Sequence, residues 1–306
     1  MKFKKVIIVN YYGKLPRYAS YFFETCKRNR SYHFVIFNDL HENAIDQNLT
    51  FIKSTLQDFN EHATEALGIP IHLTHAFKIC DLRPSYGIVY RELIEEFDFW
   101  GFCDLDIILG SLDDFLTDDF LDRVDVYSSK PKWNSGSFSL YRNSEIVNNI
   151  FRATEDWTTV FSVNKYYGFD ECLQRWDGKP IPISERTTEI LSIYDLIHSN
   201  NNIRTSFEDS IIEWPADIKK LMWSRGKWLD LTKNKEFLYL HLLLMKNSWR
   251  FYQPKLDFEN NIFVTGLGLS EGDHTRLTLK SIAWRLRRAI SCFFGIVASL
   301  KKKLSS

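Results

Sequence analysis

The segment Phe99-Trp100-Gly101-Phe102-Cys103-Asp104-Leu105-Asp106 constrains this chain more than any other. An aromatic, apolar run stops at two carboxylates spaced i and i+2, and Ile107, Ile108 and Leu109 then resume the apolar character. Alternate residues of a strand share a face. The pattern therefore predicts a buried strand over Phe99–Cys103, with Asp104 and Asp106 projecting together where it leaves the sheet. Two ionised carboxylates side by side at a buried strand end repel, and need a cation or a donor network to compensate. A hard divalent ion gripping a phosphate is one such arrangement.

Around this segment the chain alternates strand and helix signals. Lys5–Asn10 and Tyr32–Phe37 read as strands, and Arg17–Arg28 and Leu56–Leu67 as helices, the second stopping at Gly68-Ile69-Pro70. Helices are also expected over Ala76–Leu82 and Ile88–Phe97. Beyond Asp106 the signals mix: a helix near Leu112–Leu121, strands at Val124–Ser128 and Ser137–Tyr141, helical turns at Ser144–Arg152 and Asp170–Trp176, and a strand at Phe237–Leu244. Strands separated by helices imply a mostly parallel sheet with ligands at the carboxyl ends of its strands. The expected fold is α/β, a Rossmann-type mixed sheet flanked by helices, in one domain over residues 1–270 followed by a basic tail over 271–306.

Charge is distributed unevenly. The chain has 39 basic and 39 acidic side chains, but eight of the bases and none of the acids follow Asp273. The acidic body is thus a poor binder of nucleic acid. In the tail, Ile282, Leu286, Ala289, Ile290, Phe293, Val297 and Leu300 make one helical stripe, with Arg285, Arg288 and Lys302 opposite. That is the pattern of an amphipathic C-terminal helix lying on an anionic membrane surface, and equally of one docked on protein. Cysteines 26, 80, 103, 172 and 292 are scattered and odd in number, which favours a reducing, cytoplasmic setting over a disulfide framework or a zinc site. No run reaches the roughly 20 apolar residues of a bilayer span.

Four further clusters suit a phosphate- and sugar-binding site, and each also has a plainer reading. Asn10-Tyr11-Tyr12 and Asn38-Asp39 follow the first two strands and offer an aromatic surface and polar acceptors to a base and ribose; they also serve as turn formers. Lys78 and Asp81 share a helical face ahead of Arg83, and fit either a pyrophosphate or sugar contact or a surface ion pair. Asn134, Ser135 and Gly136 precede a strand, where Gly136 permits close backbone approach. His241, in an apolar run, is followed by Lys246. An imidazole for a metal and an ammonium for phosphate is one reading, and a core histidine is the other. Between these lie Asp170 and Glu171, adjacent acids suited to a general base or to favourable charge at a helix start.

In this order, "NYYGKLPRY", "FKICDLRPSYG", "FWGFCDLDIILGSL", "WNSGSFSLYRN", "GFDE" and "HLLLMKN" resemble bacterial GT-A-fold glycosyltransferases of capsular and lipopolysaccharide synthesis. The resemblance spans roughly residues 5–250. It implies a GT-A-like fold, a nucleotide-sugar donor (a UDP-sugar above all), Mn²⁺ or Mg²⁺, and transfer to a glycan or lipid-linked acceptor at the inner face of the membrane. It places Asp106 on the metal and Asp104 on the ribose or a metal-bound water. The late segment with His241, Lys246 and Trp249 is similar to the H-x-x-G-x-x-K-P-W segment of glycosyltransferase family eight but lacks its Gly and Pro. Two rival functions remain: a non-catalytic nucleotide-sugar-binding or scaffold protein, and a metal-dependent phosphohydrolase. The latter's D-x-D-x-T pattern fails at Ile108.

Overall fold

The computed structural model describes residues 2–40, 42–171, 190–213, 221–248, 251–271, 282–287 and 289–290. Its central sheet has eight strands: β1 (Lys5–Asn10), β2 (Tyr32–Asn38), β3 (Ala44–Asp46), β4 (Leu49–Lys53), β5 (Phe99–Cys103), β7 (Val126–Ser128), β8 (Phe138–Arg142) and β9 (Thr205–Phe207). Their spatial order is β3-β4-β2-β1-β5-β8-β7-β9. Strands β4, β2, β1 and β5 run parallel, while β8 is antiparallel to both β5 and β7. Val6 to Val9 are buried along the whole of β1, as expected for a parallel strand covered on both faces. The expected α/β architecture, a mixed sheet flanked by helices, is thus present.

Local signals explain the early elements. The helix Leu56–Leu67 starts with a capping box in which Thr55 and Asp58 satisfy each other's backbone N–H groups. It ends at Gly68, whose φ of 72° favours glycine. Phe59, Ala63 and Leu67 supply its buried stripe. In the same core, Trp100 of β5 stacks on its cross-strand partner Tyr141 of β8 with ring centroids 4.6 Å apart, and its indole N–H donates to Asn148.

Two smaller sheets complete the body. Strands β6 (Ile107–Leu109), β10 (Ile211–Ile212) and β14 (Tyr239–His241) form one, with β14 in the middle. The other is antiparallel, built from β11 (Leu221–Ser224), β12 (Lys227–Asp230), β13 (Lys235–Phe237), β15 (Ile262–Thr265) and β16 (Gly268–Glu271). Two buried indoles fasten this sheet to β6: Trp228 donates to the Ile108 carbonyl at 2.7 Å and Trp223 to that of Leu109 at 3.0 Å.

Several elements depart from the sequence expectation. The stretch Ala76–Ser85 is a 3₁₀ helix, with Pro84 unable to donate to an α-helical ladder, and short α-turns at Tyr86–Val89 and Arg91–Ile94 replace the helix expected to Phe97. Leu112–Leu121 divides into Leu112–Phe115 and Asp118–Leu121, because Thr117 adopts extended backbone and caps the second piece through Phe120 N–H. Ser144–Arg152 likewise divides, at Asn149. The apolar run 237–244 is not one strand: Phe237 ends β13, Tyr239–His241 belongs to another sheet, and residues 243–247 form turns. The helix expected at Asp170–Trp176 falls mainly outside the described residues, as do most of the tail and Trp249. Within the tail, 282–287 is helical. Its Trp284 ring meets Tyr252 and Arg285 donates to the Leu267 carbonyl, so the side opposite the apolar stripe contacts the body, while Ile282, Leu286 and Ile290 are exposed.

Candidate active site

Asp104 and Asp106 converge, by a route other than strand alternation. Strand β5 ends at Cys103, and residues 104–106 form a turn that hands the chain from the central sheet to β6. Asp104 N–H donates to Ser137 O at 3.1 Å, and the Asp106 carbonyl accepts from Leu242 N–H at 2.8 Å. The turn is therefore pinned between β8 and the end of β14.

Strand β14 delivers His241 to the same point. Its Nε2 lies 3.5 Å from Asp106 Oδ1 and 3.8 Å from Asp104 Oδ2. Buried, it makes no hydrogen bond there. Nδ1 is held at 2.8 Å by Glu213, which also accepts from Lys130 at 2.6 Å. Burial works against a charged imidazole, but the negative charge of Asp106 and Asp104 beside Nε2 and the hydrogen bond to Glu213 raise the His241 pKa to about 9. Burial would raise the pKa of Asp106, yet His241 and Lys246, whose Nζ is 2.6 Å away, bring it down to about 2.

One ligand atom from each of Asp104, Asp106 and His241 fits within a 4.8 Å span. A buried nitrogen without a hydrogen bond, facing two carboxylates and fixed from behind by a third, suits a divalent cation with mixed O and N ligands. It is the single such group among the described residues.

The three residues line a cleft of ≈ 450 Å³, walled on one side by Asn10, Tyr11 and Tyr12 at the end of β1 and on another by Arg83, Gly136, Asp170 and Glu171. Asn10 bonds the hydroxyls of Tyr12, Tyr86 and Tyr90, which fixes its amide. Arg83 bridges the cleft's acids, donating to Asp104 at 2.6 Å, Asp170 at 3.3 Å and the Gly136 carbonyl at 2.7 Å. Burial, reinforced by Glu171, Asp81 and Asp104, pushes the Asp170 carboxyl well above the usual range despite Arg83. Burial also raises Glu171, opposed by the Gly136 N–H that it accepts at 2.9 Å. A Cβ on Gly136 would stand 2.8 Å from Glu171 Oε1, so any larger residue there would push the Glu171 carboxylate aside.

Five of the residues singled out from sequence lie off the cleft wall. Lys78 and Asp81 are wholly buried, neither a surface pair nor in the cleft. Lys78 donates to Asp81, Val160 O and Lys165 O, while Asp81 accepts from the backbone of Tyr167 and Phe169. Asn134 and Ser135 are buried behind Gly136, with Asn134 donating to the Asp170 carbonyl at 2.6 Å. Asp39 is exposed and accepts from Gly13 N–H at 2.8 Å. Conversely, Tyr18, Lys130 and Glu213 line the cleft but were not expected there. Lys130 sits four residues before Asn134, a cue in hindsight; Glu213 follows two isoleucines in a stretch with no readable pattern.

No curated protein matches the chain. Among solved structures, it is similar to the galactosyltransferase LgtC in complex with donor and acceptor sugar analogs, at 15% identity over 53% of this chain and 66% of that one, with a TM-score of 0.30. It is also similar to the apo form of the glycosyltransferase GlyE in Streptococcus pneumoniae TIGR4, at 13% identity over 49% of this chain and 36% of that one, with a TM-score of 0.29. In both cases the match leaves a third or more of the solved protein uncovered. A model of one sequence family does extend over residues 7–265, nearly the whole of the body just described, and the chain belongs to that family, DUF6625, a family of unknown function.

Proposed function

We propose that the protein is a metal-dependent glycosyltransferase, moving a sugar from a nucleotide-sugar, with UDP favoured, to a glycan or lipid-linked acceptor of bacterial surface polysaccharide. The observation that carries this reading is the unbonded Nε2 of His241 facing Asp104 and Asp106 inside a cleft that also holds a buried pair of acids.

Asp104, Asp106 and His241 would hold Mn²⁺ or Mg²⁺, and such an ion supplies Lewis-acid stabilisation of charge on a departing diphosphate. Lys246, already beside Asp106, adds a second positive charge for that diphosphate. Asn10, Tyr11 and Tyr12 present aromatic and amide surface to the base and ribose, with Asp39 at their outer edge. Arg83 holds Asp104 and Asp170 in fixed relation. If the reaction inverts the anomeric centre, Asp170 or Glu171 accepts the acceptor's proton, a task that a raised carboxyl pKa suits. Lys78, Asp81, Asn134 and Ser135 position this wall from behind. The transferase body occupies residues 1–270. The tail from 271 would attach it to the inner face of an anionic membrane through the exposed Ile282, Leu286 and Ile290. No described helix is long and apolar enough to cross a membrane.

A two-metal phosphohydrolase needs a second ligand cluster, and none exists among the described residues. A scaffold protein would bind no nucleotide. The test is a thermal-shift screen of UDP, GDP and CMP with and without Mn²⁺. A Mn²⁺-dependent rise in Tm with one nucleotide, abolished in Asp106→Asn, is expected; no shift with any of them removes the proposal.

A further inference from the structure

Phe77 is out of place by ordinary burial rules. It is a large apolar side chain, 63% exposed, at a cleft that also holds Arg83, Asp170 and Glu171. Its ring lies 4.7 Å from that of Tyr166 at 55°, and the Tyr166 hydroxyl donates to Asp170 at 3.2 Å. An apolar ring surface thus continues directly into a carboxyl group.

The two rings are held by an unusually costly anchor. Directly behind Phe77, the buried Lys78 ties its own helix to the carbonyls of Val160 and Lys165. Asp81 takes the N–H groups of Tyr167 and Phe169, on either side of Gly168. Thr74 and His75 bond Asn164 from the other flank. Burying a complete ion pair contributes little net stability, and its best-attested use is to specify one conformation. Here the conformation specified is the one that keeps Phe77 and Tyr166 together at the cleft mouth.

We infer that Phe77 and Tyr166 form a stacking ledge for a pyranose ring of the acceptor, with the ring's hydroxyl edge turned toward Asp170 and Glu171. This rests on the transferase reading above. A pyranose has the matching chemistry: one face of C–H bonds and a rim of hydroxyl donors. An aromatic surface that is rigid before binding loses little entropy on capture. The ledge lies on the Asp170 wall, whereas Asn10 and Tyr12 belong to the end of β1. It is therefore assigned to the acceptor and not to the nucleobase.

The experiment is saturation-transfer NMR on the full chain with methyl β-D-galactopyranoside and methyl β-D-glucopyranoside, run beside the UDP and Mn²⁺ thermal shift. Transfer should fall on the axial C–H hydrogens of one glycoside. Phe77→Ala should weaken its binding about tenfold, Phe77→Trp should restore it, and neither variant should alter the UDP shift. The ledge is refuted by absence of transfer from wild type, by equal affinity in Phe77→Ala, or by loss of the UDP shift in that variant, which would place the base on Phe77. Glycoside transfer without any nucleotide shift would instead sink the donor assignment and leave the ledge standing.

Discussion

Glu213 accepts a hydrogen bond from His241 Nδ1 at 2.8 Å, and this contact fixes which imidazole nitrogen faces Asp104 and Asp106. A carboxylate behind a ligating histidine sets the ring's tautomer and its orientation together.

Glu213→Gln should therefore weaken Mn²⁺ binding by about 10–100-fold while the fold persists. Isothermal titration of wild type and variant with Mn²⁺ measures this directly. Equal affinities would remove His241 from the ligand set.

If the transfer inverts with Asp170 as the base, Asp170 should set the acid side of the rate profile. Its folded-state pKa is raised, so the ionised base is lost as pH falls through a value above the ordinary carboxylate range. Activity is expected to rise with pH across that value, and Asp170→Asn to lower kcat by about 10²–10⁴-fold. A flat profile, or a mild defect in the variant, would assign the proton transfer elsewhere.

Lys78→Met leaves Asp81 buried without its counter-charge. Breaking a buried pair from one side costs about 3–5 kcal/mol. Urea unfolding should show a loss of that order, and Lys78→Met with Asp81→Leu should recover part of it. A loss under 1 kcal/mol (about the worth of an exposed pair) would mean water reaches the site.

Asp125 gives a stability signal far from the cleft. Burial works to raise its pKa, but Arg204 and Arg142 bring it down to about 2. A depressed folded-state pKa stabilises above the unfolded value near 3.9 and is lost as pH falls toward 2. Because Arg204 is half exposed, the contribution is discounted to about 1–2 kcal/mol. The Tm of wild type should fall more steeply than that of Asp125→Asn between about pH 5 and pH 2, a window that spans the unfolded and the folded values; parallel curves would exclude a stabilising role for the Asp125–Arg204–Arg142 cluster.

What could be read in the sequence was local. Gly68 and Pro70 mark the end of one helix by their backbone chemistry, and Val6 to Val9 declare a buried strand. The acidic pair at 104 and 106 was visible as a pair, though its convergence came from a turn and not from the pleat. Destinations were harder. The spacing of Lys78 and Asp81 gives a shared face, but their burial depends on residues 160–169, which the spacing does not contain. Glu213 reaches His241 because β10 pairs with β14, a tertiary event without a local signature.

The small sheet β10-β14-β6 joins residues near 107, 211 and 240, and it alone brings Glu213, His241 and Asp106 within reach. Such distant pairings form late, after the entropy of closing long loops has been met. A nascent chain consequently has no cleft to offer, and because Ile107 to Leu109, Tyr239 and Leu240 are themselves core residues, parting this sheet opens core and cleft together.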